Sequence, residues 1–88
     1  MRDIFHYIHM AVESLALEAA FGRVIRVHRE ALRLSQEGLA DICGLHRTYI
    51  SQLERGQKSP TLRVIAQLAN ALQTQPESLM RQTFEGEL

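Results

Sequence analysis

Residues 34–56 read LSQEGLADICGLHRTYISQLERG, and the order of caps, apolar pairs and glycines in them decides how the chain folds. Ser35 suits a helix N-cap, its hydroxyl accepting from a backbone amide of the first turn. The helix it opens runs from Gln36 to about Cys43, with Leu39, Ala40 and Cys43 spaced to face inward. Gly44 is placed to end that helix in the left-handed conformation. A second short helix follows and stops at Gly56, with Ile50 and Leu53 three apart on its apolar side. Its other face is the informative one. Arg47, Thr48, Ser51, Gln52 and Arg55 fall at i, i+1, i+4, i+5 and i+8, which is a single stripe. A solvated stripe favours Glu and Lys, which form good helices and pair across a turn. This stripe holds neither.

Outward from that stretch the chain reads as helical nearly throughout. Two prolines occur, and no strand-like alternation is sustained. A helix is expected from Leu17 to Leu32, with Phe21, Ile25, His28 and Leu32 inward. Ser59-Pro60-Thr61 starts another, whose buried side is expected at Leu62, Ile65, Leu68, Ala69 and Leu72. Pro76 suits the first turn of a last helix, with Leu79 and Met80 as its apolar contacts. Two helices joined by a tight glycine-containing turn within about 20 residues make a helix-turn-helix pattern. The 88 residues suit one domain, divided as an extension over 1–16, the helical unit over 17–82 and a tail over 83–88. His9-Met10 matches what an NdeI cloning site encodes at a start codon, so residues 1–9 are a candidate addition upstream of Met10. The same segment is amphipathic enough to extend the first helix or pack on a partner.

A hydrophobic share of 45% suits a packed core rather than disorder. No apolar run approaches the ~20 residues of a membrane span, and no signal segment is present. The single Cys43 cannot form an internal disulfide, which fits a cytoplasmic, reducing setting. Net charge is zero, but its distribution is uneven. Residues 23–63 carry eight basic against four acidic side chains, whereas each flank carries one against three. A basic middle is the electrostatic footprint of a small nucleic-acid-binding domain.

That footprint gives the stripe a chemistry. An α-helix fits the major groove of DNA, where each base pair shows its own donor and acceptor pattern. Arg47 can fork onto O6 and N7 of guanine, Gln52 can pair with N6 and N7 of adenine, and Thr48 can meet a thymine methyl. Gln36 lies in the first turn of its helix, where open amides and the dipole favour phosphate. Arg55 and Lys58 follow the stripe as phosphate clamps would, and Tyr49 adds a hydroxyl from its flank. The bland alternative is a polar surface that touches nothing.

The stretch LSQEGLADICGLHRTYISQLERGQKSPTLRVIAQLANAL resembles the Cro/C1-type, or XRE, helix-turn-helix family, and HRTYIS followed by LERG is especially similar to controller proteins of restriction–modification systems. The likeness covers about Phe21 to Met80. It implies an all-α, five-helix, lambda-repressor-like DNA-binding domain that regulates transcription as a homodimer on a palindromic operator, with no cofactor. By position it implies base reading by Arg47, Thr48 and Gln52, with His46 nearby. Phosphate contacts would come from Gln36, Tyr49, Ser51 and Arg55. It also implies an Arg29–Glu54 pair tying the first helix to the third. A partly buried carboxylate beside Leu53 needs such a partner in any case. Leu79, Met80 and Phe84 are the candidate dimer seam, although Leu79 is equally suited to packing within its own chain.

Four positions depart from the pattern. Gly38 replaces a helix former at a cost of about 1 kcal/mol. Arg33 stands where a helix-ending glycine is common, so that turn is expected to close differently. His46 replaces the usual Ser, Thr or Asp cap, leaving a weaker cap or another role. Thr74 stands where an apolar residue is usual.

Other functions are less well supported. Ser, His and Asp are present without the arrangement of a catalytic triad, and no enzyme is expected. His6, His9, His28 and His46 could be drawn into a metal site, but zinc normally needs three or four clear ligands and none is expected. His28 reads as a histidine at the core edge and Cys43 as a small buried apolar residue. Glu37 and Asp41, four apart, could face RNA polymerase at a promoter, or simply form a solvated face. The main alternative is an antitoxin that binds a toxin and represses its own promoter, using residues 1–16 or the tail RQTFEGEL. A helical adaptor without DNA contact is a third reading.

Overall fold

The computed structural model describes residues 16–87, and over them the chain is five α-helices without a strand. They are α1 (Ala16–Ala31), α2 (Gln36–Cys43), α3 (Arg47–Glu54), α4 (Leu62–Ala71) and α5 (Pro76–Glu87). Expectations for the N-terminal extension, including the cloning origin and the metal-binding potential of His6 and His9, lie outside the described residues. None of the described helices is long and apolar enough to cross a membrane.

The core is one cluster built from all five helices. Phe21 and Ile25 come from α1, Leu39, Ala40 and Cys43 from α2, Ile50 and Leu53 from α3. Leu68, Ala69, Ala71 and the adjoining Leu72 come from the α4 side, and Leu79 from α5. α1 packs on α3 and α5, α2 on α3 and α4, and α4 on α5. Gln67 of α4 donates from Nε2 to the Cys43 carbonyl (3.3 Å), satisfying an open group at the end of α2. His28 Nε2 donates to Gln82 Oε1 (2.8 Å), joining α1 to α5 at the core edge.

Caps and turns follow the sequence closely, and then go further. Ser35 Oγ accepts from the Gly38 amide (2.9 Å), and Thr61 Oγ1 caps α4 by accepting from Val64 (3.1 Å). A Cβ on Gly38 would sit 3.2 Å from that same Ser35 hydroxyl, so the glycine gives the cap room. Four helices end alike. The chain turns left-handed at Arg33, Gly44, Gly56 and Gln73, and the next residue's amide reaches back to Arg29, Ala40, Gln52 and Ala69 respectively. Arg33 therefore does not close its turn differently. It takes φ 58 itself, as Gln73 takes φ 59.

α1 and α3 meet closely because α1 presents small residues there. A Cβ on Gly22 would lie 2.4 Å from the Leu53 carbonyl oxygen and 2.6 Å from that of Glu54. Gly56 is confined similarly, its missing Cβ falling 2.9 Å from Ala19 Cα.

Two expected burials and one expected seam residue are corrected. Leu32 is 38% exposed, because the chain reverses at Arg33 and turns Leu34 onto the core instead. Leu62 is 87% exposed. At the first position of α4 it has no preceding turn for its side chain to lie over, and burial begins one turn later with Ile65. Leu79 has no accessible surface and belongs to its own subunit's core, so it is not part of a dimer seam. Nor do residues 83–87 form a separate tail. They continue α5, with Thr83 fully buried and its hydroxyl donating to the Leu79 carbonyl (2.7 Å). Thr74 is half-buried, and α4 and α5 pack together beside it.

Two stability outcomes follow, both measurable by urea unfolding. Gly22→Ala should destabilise by about 1–3 kcal/mol, since two carbonyls and not a flexible side chain must move. Arg33→Gly should stabilise by roughly 0.5–1 kcal/mol, because relief of the left-handed cost, ~1–2 kcal/mol, exceeds the entropy glycine adds to the unfolded chain.

Candidate DNA-binding face

α3 is held by one side and open on the other. Ile50 and Leu53 have no exposed surface, and Tyr49 packs half-buried against the same cluster. The opposite side brings the expected stripe together: Arg47, Thr48 and Arg55 are exposed, while Ser51 and Gln52 are half-buried. Arg55 Nε donates to the Ser51 carbonyl (3.3 Å), which lays its guanidinium along the helix end. Arg47 and Lys58 are exposed and make no ion pair or side-chain hydrogen bond among the described residues.

The end of α3 is fixed by a buried ion pair. Arg29 Nε and Nη2 donate to the two carboxylate oxygens of Glu54 at 2.6 and 2.9 Å. Nη1 donates to the Leu34 carbonyl at 2.8 Å, bracing the turn between α1 and α2. The side chains are 11% and 4% exposed. The hydrogen bond to Glu54 raises the Arg29 pKa above its ordinary value, outweighing burial, which pulls it down. Arg29 thus keeps its charge at every pH below the arginine range. Gln36 joins the pair, with Nε2 donating to Glu54 Oε1 (3.1 Å). One of its two amide hydrogens is spent there, and the other is left for an outside acceptor.

His46 caps α3. Its Nδ1 accepts from the Thr48 amide (3.1 Å), doing with a ring nitrogen what Ser or Asp does with an oxygen. The exposed ring then carries its proton on Nε2 and offers a donor outward. Cys43 is buried, and burial pushes its thiol pKa up, as suits an unreactive packing residue.

Some partners were not legible beforehand. The Gln36–Glu54, Gln67–Cys43 and His28–Gln82 contacts join residues 18, 24 and 54 positions apart. Nothing in residue type or local spacing announces them.

Comparison with known proteins places this geometry. Residues 25–79 match the model of the helix-turn-helix family HTH_3. The control protein C.SmaI of Serratia marcescens is 47% identical over 64 residues, covering 72% of this chain and 76% of the relative. The control protein C.BamHI of Bacillus amyloliquefaciens is 42% identical over 67 residues, covering 75% and 83%. Among solved structures, the restriction-modification controller protein C.AhdI from Aeromonas hydrophila superposes with a TM-score of 0.69 at 44% identity, over 70% of this chain and 94% of that one.

Glu54→Ala should destabilise by about 3–5 kcal/mol, since it strands a buried guanidinium. A paired Arg29→Met, Glu54→Leu variant should recover most of that loss. Chemical denaturation of the three proteins decides the matter; a loss below about 1 kcal/mol in the single variant would show that solvent already screens the pair.

Proposed function

Because the chain belongs to the Cro/C1-type (XRE) helix-turn-helix family, whose members are DNA-binding transcription regulators and not enzymes, we propose that it is a controller-type regulator acting as a homodimer on a palindromic operator. The observation that carries this reading is the division of α3. Ile50, Leu53 and Glu54 are spent on holding the helix, while Arg47, Thr48, Ser51 and Gln52 face out with polar groups suited to DNA.

In this reading α3 lies in the major groove. Arg47 forks onto guanine, Gln52 pairs with adenine, and Thr48 meets a thymine methyl. His46, oriented by its capping bond, donates from Nε2 to a base or phosphate acceptor nearby. Gln36, Tyr49, Ser51, Arg55 and Lys58 set the register by contacting phosphates. Gln36 does so with the hydrogen that Glu54 leaves free, so backbone contact and ion pair share one side chain. Two copies of α3 would sit ~34 Å apart, one helical turn of DNA. Met80 and Phe84, both half-buried on α5, remain seam candidates after the loss of Leu79.

Selection from a random duplex pool at fixed salt tests this directly. The wild-type protein should enrich a two-fold symmetric site, and Arg47→Ala should lose about 1–3 kcal/mol and relax one base position per half-site. Lys58→Ala should weaken all sequences alike and lower the salt slope by about one per subunit. Failure of a folded protein to enrich any site would rule out the reading.

A further inference from the structure

Beside the first turn of α1 lies a cavity of about 100 Å³ that no residue of the proposed DNA face lines. Its apolar wall is Leu17 and Phe21 of α1, Pro60 before α4, Ile65 of α4 and Met80 of α5. It opens at the surface, so a small molecule can enter without unfolding the chain. A 150 Å³ apolar cavity takes benzene, so this one has room for a chain of about four heavy atoms.

The polar side chains in the wall are Glu18, Ser59 and Thr83. Glu18 Oε1 is buried and has no hydrogen-bond partner among the described residues. Its Oε2 accepts from Ser59 Oγ at 3.5 Å, the long limit of a hydrogen bond. The Thr83 hydroxyl donates to the Leu79 carbonyl (2.7 Å). Both hydroxyl hydrogens are therefore committed, and the side chains of the wall offer a ligand acceptors and no free donor. A buried carboxylate oxygen without a partner is costly, and a charged donor removes that cost best.

Charge, size and wall chemistry then restrict the class of ligand. An anion would meet the Glu18 carboxylate. A divalent metal ion needs several oxygen ligands, and no group of three metal-ligating side chains occurs among the described residues. A guanidinium carries five N–H groups in a rigid fork, more than one carboxylate and one hydroxyl can satisfy. An ammonium carries three, and a short alkyl chain behind it matches the apolar wall.

We propose that this cavity binds a small primary alkylammonium, its N–H groups donating to Glu18 Oε1 and Ser59 Oγ and its chain lying against Phe21, Ile65 and Met80. Such a ligand joins α1, the segment before α4, and α5, and it stabilises the folded chain by mass action. The site stands apart from the operator reading, and neither depends on the other.

The probe is n-butylamine hydrochloride, titrated into the full chain at fixed ionic strength and followed by NMR shifts and by the thermal midpoint. Saturable shifts centred on the cavity residues, with a rise in the midpoint, are the expected result. Sodium butyrate, similar in size and opposite in charge, should produce neither. Glu18→Gln should keep the helical content of the wild type and bind n-butylamine about tenfold more weakly or worse. Equal binding by Glu18→Gln would overturn the proposal, and so would equal shifts from butyrate on the wild-type protein. Shifts that spread over the exposed acidic residues Glu37, Asp41 and Glu77 without saturating would also overturn it. So would binding that fades as the protein is concentrated, since a second copy would then be filling the cavity itself.

Discussion

The Arg29–Glu54 pair is the constraint on which the exposed helix depends. One guanidinium spends three N–H groups on α3 and on the turn after α1, and the carboxylate takes a further hydrogen bond from the start of α2. Three helices are thereby referred to a single buried point. Such a pair is weak ground for net stability, since desolvation cancels much of the attraction. Its effect is geometric. An apolar replacement could fill the same volume, but it would give up the hydrogen bonds that join Glu54 to α1 and α2. The fork, together with buried Ile50 and Leu53, favours one rotation of α3 about its axis. That rotation decides whether Arg47 and Gln52 point outward together.

The pair acts together with close packing behind it. α3 has eight residues, too few to be stable as an isolated helix. It is helical because Ile50 and Leu53 are buried, His46 caps one end and Gly56 closes the other. Gly22 lets the backbone of α1 come up against the last carbonyls of α3, which a methyl group would hold apart. Holding and contacting are thus separated by angle around one short cylinder. Substitutions on the outward stripe can change what is touched without changing whether the helix forms.

What the sequence made legible was local. Ser35, Gly44, Thr61 and the Leu39–Ala40–Cys43 face could be read because caps and periodicity involve neighbours within a turn or two. The Arg29–Glu54 pair lies 25 positions apart and was anticipated from family likeness and from the cost of a buried carboxylate, not from spacing. Leu32 and Leu62 failed for one reason. Periodicity says which side of a helix is apolar, but not whether another element covers its ends. Leu79 failed in the opposite sense, since an apolar residue near the chain end suits a seam until the core is seen to need it. Gly22 carried no signal because a glycine inside a helix reads only as a propensity defect, and its purpose lies on α3. Arg33 misled because composition alone suggests that arginine avoids a left-handed turn. The Schellman hydrogen bonds make up part of that cost.

If α3 reads bases as proposed, its narrow surface argues for two copies. Two bidentate base pairings discriminate by ~2–6 kcal/mol between them. Specific regulators exceed their own non-specific binding by roughly 4–10 kcal/mol. With Arg47 and Gln52 as its base contacts, a single copy would fall short of most of that range, and a symmetric pair would span it. A small domain is also poor at covering its own apolar surface, burying only ~60% of what the extended chain exposes. Leu62, the most exposed large apolar side chain among the described residues, is where that shortfall is most visible. If two copies pair on the operator as proposed, their coupling supplies the specificity that one helix cannot. Folding, dimerisation and DNA recognition would then draw on one another. Weakening the seam would lower operator affinity without altering any group that touches DNA, and an operator holding two copies side by side would strengthen the seam by the same coupling.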